Sequence, residues 1–256
     1  MSRHISSQVA VLGLVAAMAA GCSDGGSPSN QGQLNFNLAT KAAAPAVASA
    51  ASFGVTSAPE TFTDGTNTLV LNQVQLVLRE IELERAEATI DCAVSTSDDA
   101  CEKLELGPIL LDLPLGTPGA ARTFSVEVTP GTFDEVEFEI HKPSSSDDAA
   151  FVQANPDFDG VSIRVTGTYN GESFVFTSDL NVEEEIDLDP PLVTSETTAT
   201  ELTLFVNLDA WFRDLSGGLV DPKTANKGAA NEGLVKDNIK NALEAFEDED
   251  HDGSHD

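Results

Sequence analysis

From Leu34 onward the apolar residues recur at every second position, the spacing of strands that bury one face. Leu34, Phe36 and Leu38 make the first run. Leu69–Leu71, Val74–Leu76–Leu78 and Ile81–Leu83 then follow almost without a break, with the phase slipping after Leu71 and again after Leu78. A β-bulge shifts phase in this way, so the pattern predicts one long bent strand rather than three. Leu104 and Leu106 come next, then Ile109 to Leu115. Phe124, Val126 and Val128 stand before Pro130-Gly131, and Val136, Phe138 and Ile140 after it, which predicts a hairpin. A second hairpin is predicted where Val161, Ile163, Val165 and Phe174, Phe176 flank Asn170-Gly171, a pair suited to positive φ. Leu180–Val182 and Ile186–Leu188 lead up to Pro190-Pro191, and Leu202, Leu204, Val206 and Leu208 close the pattern. Regular alternation broken by frequent turns predicts an all-β chain, an antiparallel β-sandwich of immunoglobulin or transthyretin type. The polar phases are Glu, Asp, Thr and Ser, so each sheet has one wet, acidic face.

Two stretches depart from the alternation. Ala42 to Ala51 is Ala-rich and broken by Pro45, and it reads as a low-complexity insertion over 42–60. From Asn231 the period becomes helical: Val235, Ile239, Ala242, Leu243 and Phe246 fall on one face, with Asn231 as a cap. The sandwich is therefore expected over 33–222, followed by one amphipathic helix over 231–247 and an acidic tail over 248–256. Trp211-Phe212 after the last strand reads as a plug in the end of the core. A sugar-stacking platform is the alternative, and one Trp and one Tyr against 13 Phe favour the core.

The first residues change the picture of where the domain works. A short basic start (Arg3, His4), an apolar run from Val9 to Ala20, and Ala19-Ala20-Gly21-Cys22 have the form of a secretory signal over 1–21. The apolar run is too short to span a bilayer. The box resembles that of bacterial lipoproteins, which implies that Cys22 becomes the lipid-bearing first residue and holds the chain at a membrane. By resemblance to Gram-negative sorting, Ser23 permits transit to the outer membrane. Residues 22–32 are then a Gly/Ser/Pro/Asn-rich tether. With Cys22 assigned to lipid, Cys92 and Cys101 remain, nine positions apart in a polar stretch. An even remainder in an exported chain favours a disulfide, of roughly 2–3 kcal/mol if unstrained.

The chain of 256 residues carries 13 Lys+Arg against 43 Asp+Glu, a formal net charge of −30. That excludes a nucleic-acid binder, which neutralises phosphates with clustered cations. It also excludes docking to anionic lipids through a polybasic face. The hydrophobic fraction of 41% is too high for an acidic disordered chain. Alternating strands place much of the charge on their wet faces, as a solubility property. One local cluster stands apart. Asp248, Asp250, Asp252 and Gly253 match D-x-D-x-D-G, the first half of an EF-hand loop. No bidentate Glu follows within the sequence, so this set holds calcium weakly at best, and a solvated acidic tail is the competing reading. No cofactor is required by the sequence; the tail offers weak calcium ligands, and His251 and His255 offer weak ligands to a transition metal.

No G-x-S-x-G, H-E-x-x-H, P-loop or G-x-G-x-x-G occurs. His141 is the only histidine of the body and hence its only candidate general base; its place beside Lys142-Pro143 predicts an exposed strand end. With so many acids any two carboxylates pair by chance, which gives a glycosidase no warrant. The runs LREIELERAEA (78–88), TPGTFDEVEFEIHKP (129–143), SIRVTGTYNGESFVF (162–176) and LTLFVNLDAWF (202–212) resemble a group of bacterial secreted lipoproteins that share a domain of unknown function. Pro130-Gly131-x-Phe133, Val165-x-Gly167 and Leu202 to Asp209 carry the likeness, which covers roughly 33–215. It implies a β-sandwich and supplies no catalytic residues. The sequence thus predicts a lipid-anchored envelope protein, not an enzyme, that binds or scaffolds an envelope protein or glycan. A calcium-responsive surface module and a carbohydrate-binding or hydrolytic module are the alternatives.

Overall fold

The computed structural model describes residues 31–40, 58–86, 101–116, 118, 119 and 121–248. In chain order the elements are β1 (Gly32–Ala39), β2 (Glu60–Thr63), β3 (Thr68–Arg85), β4 (Cys101–Asp112), β5 (Ala121–Val128), β6 (Gly131–Ile140), α1 (Ala149–Ala154), β7 (Ile163–Tyr169), β8 (Glu172–Ser178), β9 (Val182–Thr194), β10 (Thr200–Val206), α2 (Leu208–Trp211), α3 (Glu232–Lys240) and β11 (Leu243–Glu247). They form two sheets, and the chain is an all-β sandwich with small helical connections. One sheet has the order β11-β10-β1-β5; the other has β8-β7-β3-β6-β9, with β2 and β4 also paired to β3.

The spine is β3, a single strand of 18 residues. Its ladder shifts register between Leu71 and Gln73 and around Leu78 to Glu80, at the two phase slips of the sequence. Each slip keeps the apolar set inward: Leu69, Leu71, Val74, Leu76, Leu78, Ile81 and Leu83 are all buried. A one-residue shift without a bulge would have turned the second half of the set to solvent. The length of β3 lets it hold β7 along its first half and β6 along its second.

The Asn170-Gly171 hairpin forms between β7 and β8, with φ of 51° and 84° at the two turn residues. Within it Gly167 has a specific reason. A Cβ there would lie 2.0 Å from the Val70 carbonyl oxygen and 3.1 Å from the Phe174 ring. Because the obstacle is the backbone of the neighbouring strand, Gly167→Ala is expected to cost about 2–3 kcal/mol, measured by chemical denaturation.

Three expectations are corrected. Pro130-Gly131 does not close a hairpin: β5 pairs with β1 in the smaller sheet, while β6 pairs with β3 and β9 in the larger. Both hydrogen-bonding edges of β6 are taken, so the turn is a crossover between sheets. Arg85 braces it, donating to the Pro130 and Thr129 carbonyls at 3.3 and 3.5 Å and stacking on Phe133. Second, β1 and β10 run parallel, so the smaller sheet is mixed. Third, the helix predicted over 231–247 stops at Lys240, where Asn241 caps it. The free edge of β10 then offers a ladder, and Leu243–Glu247 join it as an antiparallel strand. Leu243 and Ala245 pack on the core, so positions 242–247 satisfy the strand period as well as the helical one. The sandwich therefore runs on to β11 instead of ending at 222. The short strand β2, unpredicted, pairs with the start of β3.

Trp211 and Phe212 are fully buried, with Phe212 packed edge-on to Phe176 at 5.2 Å between centroids. Trp211 plugs the core and presents no face to a sugar. Cys22, Cys92, Asp250 and Asp252 lie outside the described residues, and Cys101 is described only as the backbone start of β4.

Candidate functional site

Alternation along β3, β6 and β9 sends Ile81, Leu83, Val136, Phe138, Ile140 and Leu188 inward and the intervening acids outward. Register then decides how those acids meet. Glu82 is opposite Glu137, which is opposite Glu185. In the next row Glu84 is opposite Glu135, which is opposite Asp187. Glu139 is opposite Glu183 in a third. Like charges directly opposite each other on neighbouring strands destabilise a sheet. Partial burial, and then repulsion from Glu183, Glu82, Glu185 and Glu135, pushes Glu137 up to about 7. Burial, then Glu84, Glu185, Asp187 and Asp134, likewise raises Glu135. The second row lines a cleft of about 340 Å³, formed by Glu84, Asp134, Glu135, Asp187, Leu188, Asp189 and Pro191.

Eight of the acids are thus aligned on one face of the larger sheet. The sequence shows the alternating acids at 80–84, 135–139 and 183–187 but not their register, which depends on bulges and on the order β3-β6-β9.

The rows end at a compensated cluster. Arg79 Nε lies 2.7 Å from Glu139 Oε2. His141 is buried, not exposed as predicted, with Nδ1 3.3 Å from Glu139 Oε1 and Nε2 2.8 Å from Asp148 Oδ2. The same Asp148 oxygen accepts from the Ser144 amide at 3.1 Å, tying the connection after β6 back to the strand. With both ring nitrogens engaged by carboxylates, this side chain ties the end of β6 to the connection that follows it.

Asp248 is buried at the end of β11, where it accepts from Thr203 Oγ1 at 3.2 Å. A calcium loop starting there would have to draw that carboxylate out of the sheet, so the tail is no simple open loop at its first position. Beside it, Glu201 accepts from Asn35 Nδ2 at 2.6 Å and Asn37 Nδ2 at 3.0 Å, a polar seam on the smaller sheet. Among the described residues no group of three or more His, Cys, Asp or Glu has a metal-holding arrangement, and no helix is long and apolar enough to cross a membrane.

Comparison with protein-family models and with curated proteins gives no match. Among solved structures, MbnP from Methylosinus trichosporium is similar over 85% of this chain and 98% of its own, at 11% identity and a TM-score of 0.41. A likeness at that level bears on neither ligand nor activity.

Proposed function

We propose that this chain is an exported, lipid-anchored β-sandwich of the bacterial envelope that binds rather than catalyses, and that the acidic face of its larger sheet is the binding surface for a cationic protein segment. The observation that carries the reading is the alignment of carboxylates in rows across three strands, at a cost in stability that scattered acids would avoid. An open array of this kind does not enclose a single metal ion as a calcium cage does. It complements an extended Lys/Arg-rich segment, through charge pairing that sets specificity and on-rate.

Calorimetric titration with a lysine-rich peptide tests this. Binding should weaken steeply between about 20 and about 500 mM salt. Glu82→Gln/Glu137→Gln/Glu185→Gln should weaken it by about tenfold or more. Glu172→Gln/Glu196→Gln/Asp157→Asn changes the charge equally at exposed sites away from the rows and should leave it nearly unchanged. Equal loss in both variants would reduce the effect to net charge and overturn the assignment of the face.

The anchor is tested separately. Cys22→Ala should move the protein from the membrane fraction to the soluble one on cell fractionation. Unchanged membrane retention would contradict lipidation at Cys22.

A further inference from the structure

Among the described residues the larger sheet ends at β9, which is hydrogen-bonded on one side only, to β6. Its two halves are held very differently. Leu192 to Thr194 pair with Gly131 to Phe133, and Val182 to Asp187 pair with Glu135 to Ile140. Between them the register shifts, and the intervening Leu188 to Pro191 include Pro190 and Pro191, which lack the amide hydrogens of a ladder. Leu188 and Leu192 are buried, so the second half is anchored in the core. In the first half the inward positions are Val182, Glu184 and Ile186, all only partly buried. Val182 and Ile186 rest on the core only in part, and β9 also lies against β11 of the smaller sheet. Burial also raises Glu184, against a weaker opposing pull from Lys240 at the end of α3.

On its outward side the same half carries Glu183, Glu185 and Asp187, each opposite an acid of β6. The charged groups on the elements packed against it are mostly acidic, Glu244 and Glu247 of β11 among them. From β6 come Glu135, Glu137 and Glu139, and from β3 behind them Glu82 and Glu84. Arg79 is engaged by Glu139. On β4, Lys103 stands opposite Glu82 in the register and Glu105 opposite Glu80. At the strand's start the Lys142 amide donates to Asn181 Oδ1 at 2.8 Å, a neutral tether just outside the rows.

We propose that Val182–Asp187 is a charge-gated edge segment, zipped to β6 while the facing carboxylates share protons or counterions and released when they are all ionised and unscreened. The hinge is Leu188–Pro191, where the ladder is already interrupted. The raised position of Glu137 places the change near neutrality. Opening would expose the β6 edge, with its unpaired amides and carbonyls, next to the acidic cleft. The proposal concerns the same face as the binding surface above but needs no partner, because protons and salt act in its place.

Hydrogen exchange on the whole mature protein tests it, with rates corrected for intrinsic chemistry. At low salt, amides of 182–187 and their partners in 135–140 should lose at least about tenfold protection from near pH 6 to near pH 8. Amides of β7 and β8 should keep theirs. About 0.5 M salt at the higher pH should restore protection, and Glu137→Gln/Glu185→Gln should abolish the pH dependence. Unchanged relative protection, or a loss that persists in the double variant, would overturn the gate. Failure of peptide binding with the exchange pattern intact would remove only the proposed partner; a flat exchange pattern with binding intact would remove only the gate.

Discussion

Replacing His141 with alanine is expected to lower the unfolding free energy by about 3 kcal/mol, the upper range for leaving a buried hydrogen-bonding group without its partner. The reason is what it leaves behind. Asp148 loses the donor at 2.8 Å and keeps only the Ser144 amide, while Glu139 keeps Arg79 but loses its contact on the other oxygen. Both carboxylates are buried side chains, so neither can recover full hydration. His141→Gln keeps one amide donor and should cost less. In His141→Ala/Asp148→Ala the orphaned carboxylate is gone, so the pair should lose less than the sum of the single variants. Urea unfolding curves for the four proteins give the cycle directly. Additive losses would mean that the contact at Nε2 contributes nothing.

The second large effect is an inverted pH dependence. Melting temperature is expected to rise by about 3–6 °C from near pH 8 to near pH 5 at low salt, and to fall again below about pH 4. Glu137 sits at about 7 in the folded protein against an ordinary 4.5. Between those values the folded chain holds more protons than the unfolded one. Stability is therefore fullest below the lower value and is lost as pH rises through the upper. Glu137 is only partly buried, so screening reduces the contribution of its row to about 1 kcal/mol, with Glu135 and Glu184 acting in the same direction. On the acid side the sign reverses. Hydrogen bonds from Lys227 and Lys236 hold Asp179 well below the usual carboxylate range, and backbone donors led by Asn67 do the same for Asp64. Their stabilisation is present above the ordinary value of 3.8 and is lost as pH falls toward the lowered ones. Calorimetric scans across this range check both limbs; a melting temperature that climbs steadily toward pH 8 would contradict the repulsive rows.

These two sites show where the sequence is informative and where it stops. Period-two alternation located the strands, and the phase slips after Leu71 and Leu78 marked the bulges of β3, because burial on one face leaves its record in residue type. Asn170-Gly171 marked its hairpin because few residues accept positive φ. Pairing partners leave no such record. Pro130-Gly131 has the composition of a hairpin turn, yet the strands on either side belong to different sheets. Leu243 and Ala245 fit a strand, but whether one forms depends on β10 having a free edge. The acidic face is legible only in part for the same reason. Its glutamates alternate visibly along the chain, but the rows exist because β3, β6 and β9 are neighbours in one register. His141 looked exposed because its neighbours are Lys142 and Pro143; Asp148, seven positions later, turns back to cover it.

In the proposed function one aligned acidic face, and not the acidic tail, receives a cationic partner. Amide chemical-shift mapping of the mature protein during titration with a lysine-rich peptide tests that claim directly. The expected result is a contiguous set of perturbed amides in Glu82–Glu84, Glu135–Glu139 and Glu183–Asp187, with the cleft residues Asp134 and Asp189 included. Perturbations confined to 248–256, or scattered over every exposed acid, would contradict it.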